Sequence, residues 1–591
     1  MKYKVPVKIA ALVFATLAAT DLFATDYTWI GTSSSSWRNS SSWSPSGYPA
    51  SSNDVAIFNT ECSIASTVAP TISAFGTSTA GKIIIANGAD ITFNGSVVVT
   101  NNADIVVQEG GKVTFANAKL RLSAGGRLLV EGGEVTLSDT QYLNAGGCIE
   151  LRGGNLASYH LVNETTGMDD PANSGRIVVS GGEWYCSPTG TLKTFPNDKN
   201  SQDSAIDLEI SGGHVYGDTV ARFWAYGSSS IAISGGVVEF PAAKLGNYRT
   251  AATNETEAAA GTFTLSGGSL RCYSLDTSNP FDAQEISIQG GELMITDTQL
   301  KDTDEVAARI LSGLANSNFT LVCPKSDPIF SAGTINEING TLIVTNTTAK
   351  HTAGIITQGD DTSFTGSGTI LTDTIQARSS ASTGYRTSYD GLTLTLYGYD
   401  TTPGRAVLPR SNDKMSFTNV TFGIYGRNWK QDNYSIVLSG VTTLDTTDHL
   451  AAEPVGYDIN LVNLKAGVAA TGYSLPVVFK RGIGTATIPS AQLAKVVYIA
   501  TDSNGVLDLD AAVKPDTGVL DATVLGISKN PDIILQTAVT KAGTVLLANT
   551  GWTKVPSEIS VIDADGTALE VELDNGALCI KRHRGLILIF R

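Results

Sequence analysis

From residue 81 the chain is written in short alternating runs. Ile83 and Ile85, Ile91 and Phe93, Val97 and Val99, Ile105 and Val107, Val113 and Phe115, Leu120 and Leu122, and Leu128 and Val130 each bracket a single residue. Alternation at period two is the signature of a strand with one buried side. Between the runs stand Asn87-Gly88, Asn94-Gly95, Asn101-Asn102, Gly110-Gly111, Gly125-Gly126 and Gly132-Gly133. These residue types supply the positive φ that a sharp corner demands. Successive corners fall seven or eight residues apart, and every third one about 22 apart. Three short strands per 22-residue turn predict an all-β, three-sided parallel β-helix, with no crossover helix between its strands.

Past residue 157 the rungs lengthen while their mark persists. Glycine pairs begin at residues 110, 132, 153, 181, 212, 235, 267 and 290, in steps of 22, 21, 28, 31, 23, 32 and 23. The added residues read as loops on one side of a constant rung, at 159–174, 187–205 and 248–261. At the strand spacing of about 4.8 Å, eight rungs span about 35–40 Å. Each rung buries its face against its neighbours, so the ends of the stack need covering. Beyond 450 the turns change type. Asp502-Ser503-Asn504-Gly505, Asp563-Ala564-Asp565-Gly566 and Asp574-Asn575-Gly576 sit between alternating runs, a hairpin signal that predicts a C-terminal antiparallel β region. The expected division is a signal peptide over 1–24, a Trp-rich cap over 25–60, a regular β-helix over 61–300, a less regular continuation over 301–449, and a hairpin-bearing region over 450–591 that ends in a short basic and apolar tail.

Composition narrows the function. Forty basic and 56 acidic residues give a net charge of −16, without the clustered Lys and Arg that nucleic acid requires. Lys2, Lys4 and Lys8 precede an apolar run from Ile9 to Ala19, the pattern of a secretory signal, so the protein is expected to be exported to the cell surface or beyond. No later stretch approaches the ~20 apolar residues of a membrane helix. Cys186 and Cys272 share the phase of inward-facing Trp184 and Leu270, so they read as buried fillers, and all six cysteines read as free thiols.

The segment Thr28–Phe58 has its own character: Trp29-Ile30-Gly31, then Trp37, Trp43, Gly47, Pro49, Asp54, Val55 and Ile57. It resembles the opening of bacterial autotransporter-passenger-like surface proteins, whose passengers share the right-handed β-helix architecture of pectin lyases. The resemblance implies that Trp29, Trp37 and Trp43 cap the first rung and block edge-to-edge association. The alternative for the three tryptophans is a sugar-stacking platform. The likeness covers residues 27 to about 300, and the chain departs from a true autotransporter in lacking the tail length for a membrane barrel of about a dozen strands.

Chemistry is sparse. A polysaccharide lyase or hydrolase on this architecture needs carboxylates on adjacent rungs, or a cation site with a basic residue. The candidates are Asp169 and Asp170 with Arg176, and Asp360 with Asp361; all four aspartates sit among turn-forming residues, where Asp commonly caps. His214 reads as an ordinary strand position. Asp502, Asn504, Asp508 and Asp510 lack the acidic positions of a Ca²⁺ loop, so neither a metal nor a cofactor is expected. The sequence therefore predicts a secreted or cell-surface structural, adhesin-like protein without catalysis, whose partner is a polysaccharide or a matrix component. The rival is a carbohydrate-active β-helix with an aspartate-bearing site.

Overall fold

The computed structural model describes most of the chain from Thr25 to Arg582. Residues 1–24, 32–37, 50–53, 59–61, 65–80, 165–173, 189–192, 197–204, 249–260, 345–353, 379–385 and 583–591, with some shorter breaks, lie outside the described residues, and between 397 and 532 little besides strand segments is described. Among the described residues the regular structure is nearly all strand, with only short helical stretches at Ser40–Ser42, Glu305–Ser312 and Gly313–Ala315, so the fold is all-β. It is a parallel β-solenoid of stacked coils with a separate antiparallel sheet near the C-terminus. Two compact units divide it: residues 1–192 with 196–208, and residues 193–195 with 209–591.

In the first unit the described coils lay their strands on three faces. The first face stacks Lys82–Ile85, Asp104–Val107, Arg127–Val130, Cys148–Leu151 and Gly175–Val179 in parallel register. The second begins with Cys62–Ile64, Asp90–Phe93 and Lys112–Phe115, and the third with Val97–Val99 and Leu120–Leu122. Register brings like positions of successive coils into columns. One column runs Ile83, Ile105, Leu128, Ile149 and Ile177, all buried. Another runs Phe93, Phe115, Leu137, Ser158 and Cys186, in which the rings of Phe93 and Phe115 stack at 5.3 Å. Ser158 is a polar member of a dry column, and it accepts a hydrogen bond from Trp184 Nε1 at 2.8 Å. That bond satisfies two buried groups at once.

The end of this stack is closed by Trp29 and Trp43. The strand Asp26–Trp29 lies parallel to Val55–Phe58 on one side, and on the other pairs antiparallel with the two-residue strand Trp43–Ser44. Trp29 and Trp43 sit in register, with their rings edge to face at 4.9 Å and each 5.6 Å from Phe58.

The glycine pairs divide their labour. Gly182 has φ +72° and is a left-handed corner, as the sequence predicts. Its partner Gly181 lacks a positive φ and is needed for close approach instead: a Cβ there would lie 2.2 Å from the carbonyl oxygen of Arg152 in the coil below. In the second unit the chain does not break at these corners. Ser230–Tyr248 and Thr262–Leu275 each run as one strand around two corners, with register shifts where Ser234 and Val237 bend the ladder.

Coils of three strands continue in the second unit beyond residue 300. One sheet stacks Thr341–Val344, Thr369–Thr372, Thr393–Leu396, Thr421–Ile424, Thr442–Asp445, Leu475–Lys480 and Val496–Ile499, all parallel. A short helix, Glu305–Ser312, takes the place of a strand in one coil. Asp304 caps it, accepting from the backbone N–H groups of Val306 and Ala307, and Val306, Ala307, Ile310 and Leu311 face inward. It packs against Ile286–Ile288, where Arg309 Nε donates to the carbonyl of Ile286 at 3.3 Å.

Apart from the short Trp43–Ser44 strand of the cap, the antiparallel strand pairs among the described residues lie at the C-terminal end. Val571–Asp574 and Ala577–Ile580 form a hairpin through Asn575 (φ +51°) and Gly576 (φ +78°), the two positive values that a type I′ turn requires. Asp563 closes the turn before it, its carboxylate accepting from the N–H groups of Asp565 and Thr567. The turn at 502–505 lies outside the described residues, and the strand after it, Val506–Asp508, pairs parallel with Ile533–Gln536. The parallel rule therefore persists deeper into the C-terminal region than its turn residues suggest.

Candidate functional site

Alternation puts every second residue of a coil inside, so chemistry must be sought in the outward rows. In the second unit one such row belongs to the face that follows the glycine pairs. His214 and Tyr216 project from the strand Ile206–Tyr216, with their rings stacked at 4.5 Å. His214 Nε2 lies 3.2 Å from a carboxylate oxygen of Glu239 in the next coil. Glu239 is in register with Arg271, and Arg271 with Met294. Tyr273, two positions beyond Arg271, is 38% exposed and donates its hydroxyl hydrogen bond to Asp297. That bond holds the phenol protonated and raises its pKa. The inward partners of this row, Val215, Val238, Phe240, Leu270 and Cys272, are wholly buried.

The first unit carries a charged row. Arg127 makes two hydrogen bonds to Asp104 (Nε–Oδ1 and Nη2–Oδ2, both 3.0 Å) and a third to Glu150 at 2.9 Å, and Glu150 in turn accepts from Arg152 at 2.6 Å. The hydrogen bonds to Asp104, and then to Glu150, raise the pKa of a guanidinium that is already permanently charged. Arg127 is in register with Asp104 on one neighbouring coil and reaches Glu150, which stands opposite Leu129, on the other, so the row ties three successive coils together rather than holding a reactive group.

A third group lies on the strand Arg222–Tyr226 and its neighbour. Trp224 stacks on Tyr248 at 5.7 Å, Tyr226 lies 4.9 Å from Tyr248, and the Arg222 guanidinium sits 4.7 Å over the Trp224 ring. Both sides of this strand are covered: Trp224 and Tyr226 are buried although they point away from Phe223, which packs inside. Burial pushes the Tyr226 phenol up to about 12. The run Arg-Phe-Trp-Ala-Tyr lacks polar alternation, which was the available sign that the strand is covered on both sides.

Of the residues picked out by sequence, Trp29 and Trp43 are 1% exposed, packed on each other and on Phe58 within the cap, and present no ring face to solvent. Trp37 lies outside the described residues, as do Asp169, Asp170 and Asp360. Arg176 is exposed at the start of Gly175–Val179, in register with Cys148. Asp361 is exposed with φ +60°, directly before the strand Thr362–Thr365, a left-handed turn position that Asp tolerates. His214 is in a strand as expected, with the carboxylate partner that its sequence context did not reveal. Among the described residues no group of three or more His, Cys, Asp or Glu side chains is arranged to hold a metal ion. Cys148, Cys186, Cys272, Cys323 and Cys579 are free thiols, and burial pushes Cys272 and Cys323 up to about 12, so they are inert fillers. Among known protein families, curated proteins and solved structures, nothing matches the chain.

Proposed function

We propose that this is a non-catalytic, exported surface protein that binds an extended polysaccharide or a similar matrix polymer along the outer rows of its coils. The observation that carries the reading is the outward row of Tyr216, Glu239 and Arg271 on successive coils, with His214 and Tyr273 beside it: half-buried to exposed aromatic rings and charged groups above a fully apolar interior. Coils repeat at about 4.8 Å, so such a row offers regularly spaced contacts to a polymer that itself repeats. Rings give apolar faces to stack on, and the charged groups give strong hydrogen bonds to hydroxyl or carboxylate substituents. The N-terminal basic and apolar pattern supports export, and the resemblance of the Trp-rich opening to autotransporter-passenger-like proteins supports a surface role.

The test is retention and product size, followed together, on a panel of neutral and acidic polysaccharides. Retention without chain shortening is expected, reduced at least tenfold in Tyr216→Ala and in Arg271→Ala. Chain shortening that disappears in Asp169→Ala or Asp360→Ala would establish the carbohydrate-active alternative in its place. Neither retention nor shortening would leave a structural scaffold.

A further inference from the structure

The helix Glu305–Ser312 leaves a gap that a strand would have filled. On the third face of the second unit, Leu245 and Leu275 stand in register on successive coils. After Leu275 the chain leaves the ladder through the loop 276–285, and the next contribution to this corner is the bridge residue Lys301, followed by the first turn of the helix. A strand would set large side chains over Leu275. The helix sets Val306 and Ala307 there, and the shortfall in volume is a partly open cavity of about 210 Å³. Its walls are Leu245, Leu275, Pro280, Phe281, Val306 and Ala307. Asp276, Thr277, Lys301 and Asp304 stand around it.

The polar groups are fixed independently of any ligand. Asp276 is 5% exposed, and its Oδ1 accepts from the N–H groups of Ser278 (2.9 Å) and Asn279 (3.3 Å), which leaves the other oxygen of a held carboxylate. Asp304 is held in the same way by the helix it caps, through Val306 and Ala307 at 3.1 and 3.2 Å. A carboxylate accepts and an ammonium only donates, so this rim offers both kinds of partner around an apolar floor.

The geometry points to a binding site for one neutral pyranose ring, either a free monosaccharide or the terminal unit of a glycan. The volume falls below the roughly 300–1,000 Å³ of pockets for larger ligands, which limits the occupant to about one ring. A pyranose has an apolar C–H face for Leu275 and Phe281, and hydroxyls that donate to Asp276 and Asp304 and accept from Lys301. Two carboxylates against one ammonium disfavour an anionic ligand. The inference does not depend on polymer binding along the outer row, which lies on a different face.

Saturation-transfer NMR on the purified chain, with glucose, galactose, mannose and N-acetylglucosamine and with disaccharides that end in each, tests it. At least one sugar is expected to show transfer, and the disaccharide spectra tell a free sugar from a chain end: transfer confined to the terminal ring means a chain end, and transfer to the monosaccharide alone means a free sugar. Ala307→Leu fills the cavity with a residue that favours helix. It is expected to keep or raise the melting temperature while weakening binding at least tenfold. Asp304→Asn preserves the cap, since Asn caps as well as Asp, and removes the charge; it is expected to weaken binding severalfold at unchanged stability. Absence of transfer from every sugar would overturn the proposal, as would transfer that persists undiminished in Ala307→Leu. Because Tyr216→Ala and Arg271→Ala leave this cavity untouched, failure of the outer-row reading and failure of this one are read separately.

Discussion

Tyr389 lies between Phe364 and Phe417 in a column of nearly parallel rings, with centroids 4.8 and 5.1 Å away. It is fully buried, and its hydroxyl has no hydrogen-bond partner among the described residues. Burial drives the phenol far above its ordinary pKa. A buried hydroxyl left unpaired costs about 1–3 kcal/mol, while the ring itself stacks as a phenylalanine would. Tyr389→Phe is therefore expected to raise the unfolding free energy by about 1 kcal/mol in a urea titration. A fall in the midpoint would mean that the hydroxyl contributes a bond. Ser158 is the contrasting case. It too lies in an apolar column, but Trp184 donates to it, so the pair is satisfied. Sequence phase assigns an inward position to Cys186, Cys272, Trp184 and Leu270 but not to Ser158 or Tyr389. Alternation alone does not tell which inward polar group finds a partner, because the partner of Ser158 comes from a different coil.

At the scale of the element, the glycine pair acts as a corner with two requirements. A side chain at Gly182 would meet both a left-handed backbone and the carbonyl oxygen of Gly154, 2.6 Å from the Cβ position. The left-handed conformation alone costs a β-branched residue roughly 1–2 kcal/mol. Gly182→Val is expected to lower stability by more than about 2 kcal/mol, measured by thermal or chemical unfolding. Unchanged stability would refute the corner. The strands and corners of residues 81–157 were legible because one side of each strand is buried and the other wet, which forces alternation. The helix Glu305–Ser312 carried a weaker mark: Asp304 as its cap and apolar residues at 306, 307, 310 and 311, a pattern only two turns long among strand-like runs. The outward rows left almost no mark, since outer positions of a coil accept nearly any polar residue, and the company that Tyr216, Glu239 and Arg271 keep is set by register across 23 and 32 residues of chain. The cavity beside Ala307 was illegible for a related reason, being the absence of bulk where a strand gives way to a helix.

On the scale of the whole molecule, a parallel stack has an end problem. A terminal coil exposes a row of unpaired backbone groups that could template another chain. The N-terminal unit meets this with a strand only two residues long, Trp43–Ser44, running against the ladder, and with the mutual packing of Trp29, Trp43 and Phe58. Trp43→Ala removes the ring that closes this cluster. It is expected to destabilise by about 3–5 kcal/mol if the first coils unfold with it. It is also expected to produce concentration-dependent self-association, visible in sedimentation velocity. A variant that stays monomeric at high concentration would show that the short antiparallel strand suffices without the ring. The net charge of −16 opposes association by repulsion, so raising the salt is expected to strengthen the effect in the variant.

The exchange of a strand for the helix Glu305–Ser312 has a consequence for how such a chain can change over generations. The coils on either side keep their parallel register across that place: Gly291–Ile295 pairs with Phe319–Val322, and Phe319–Val322 with Thr341–Val344. One face of a coil can thus be rewritten in another secondary structure while the ladder next to it runs on undisturbed. A repetitive architecture is usually a poor place to invent, since every position answers to the copy above and below. Here a single substituted face breaks that obligation locally and creates a recess that the uniform repeat could not hold. Novelty then enters by replacing one side of one coil, leaving the rest of the ladder as its guarantee of folding.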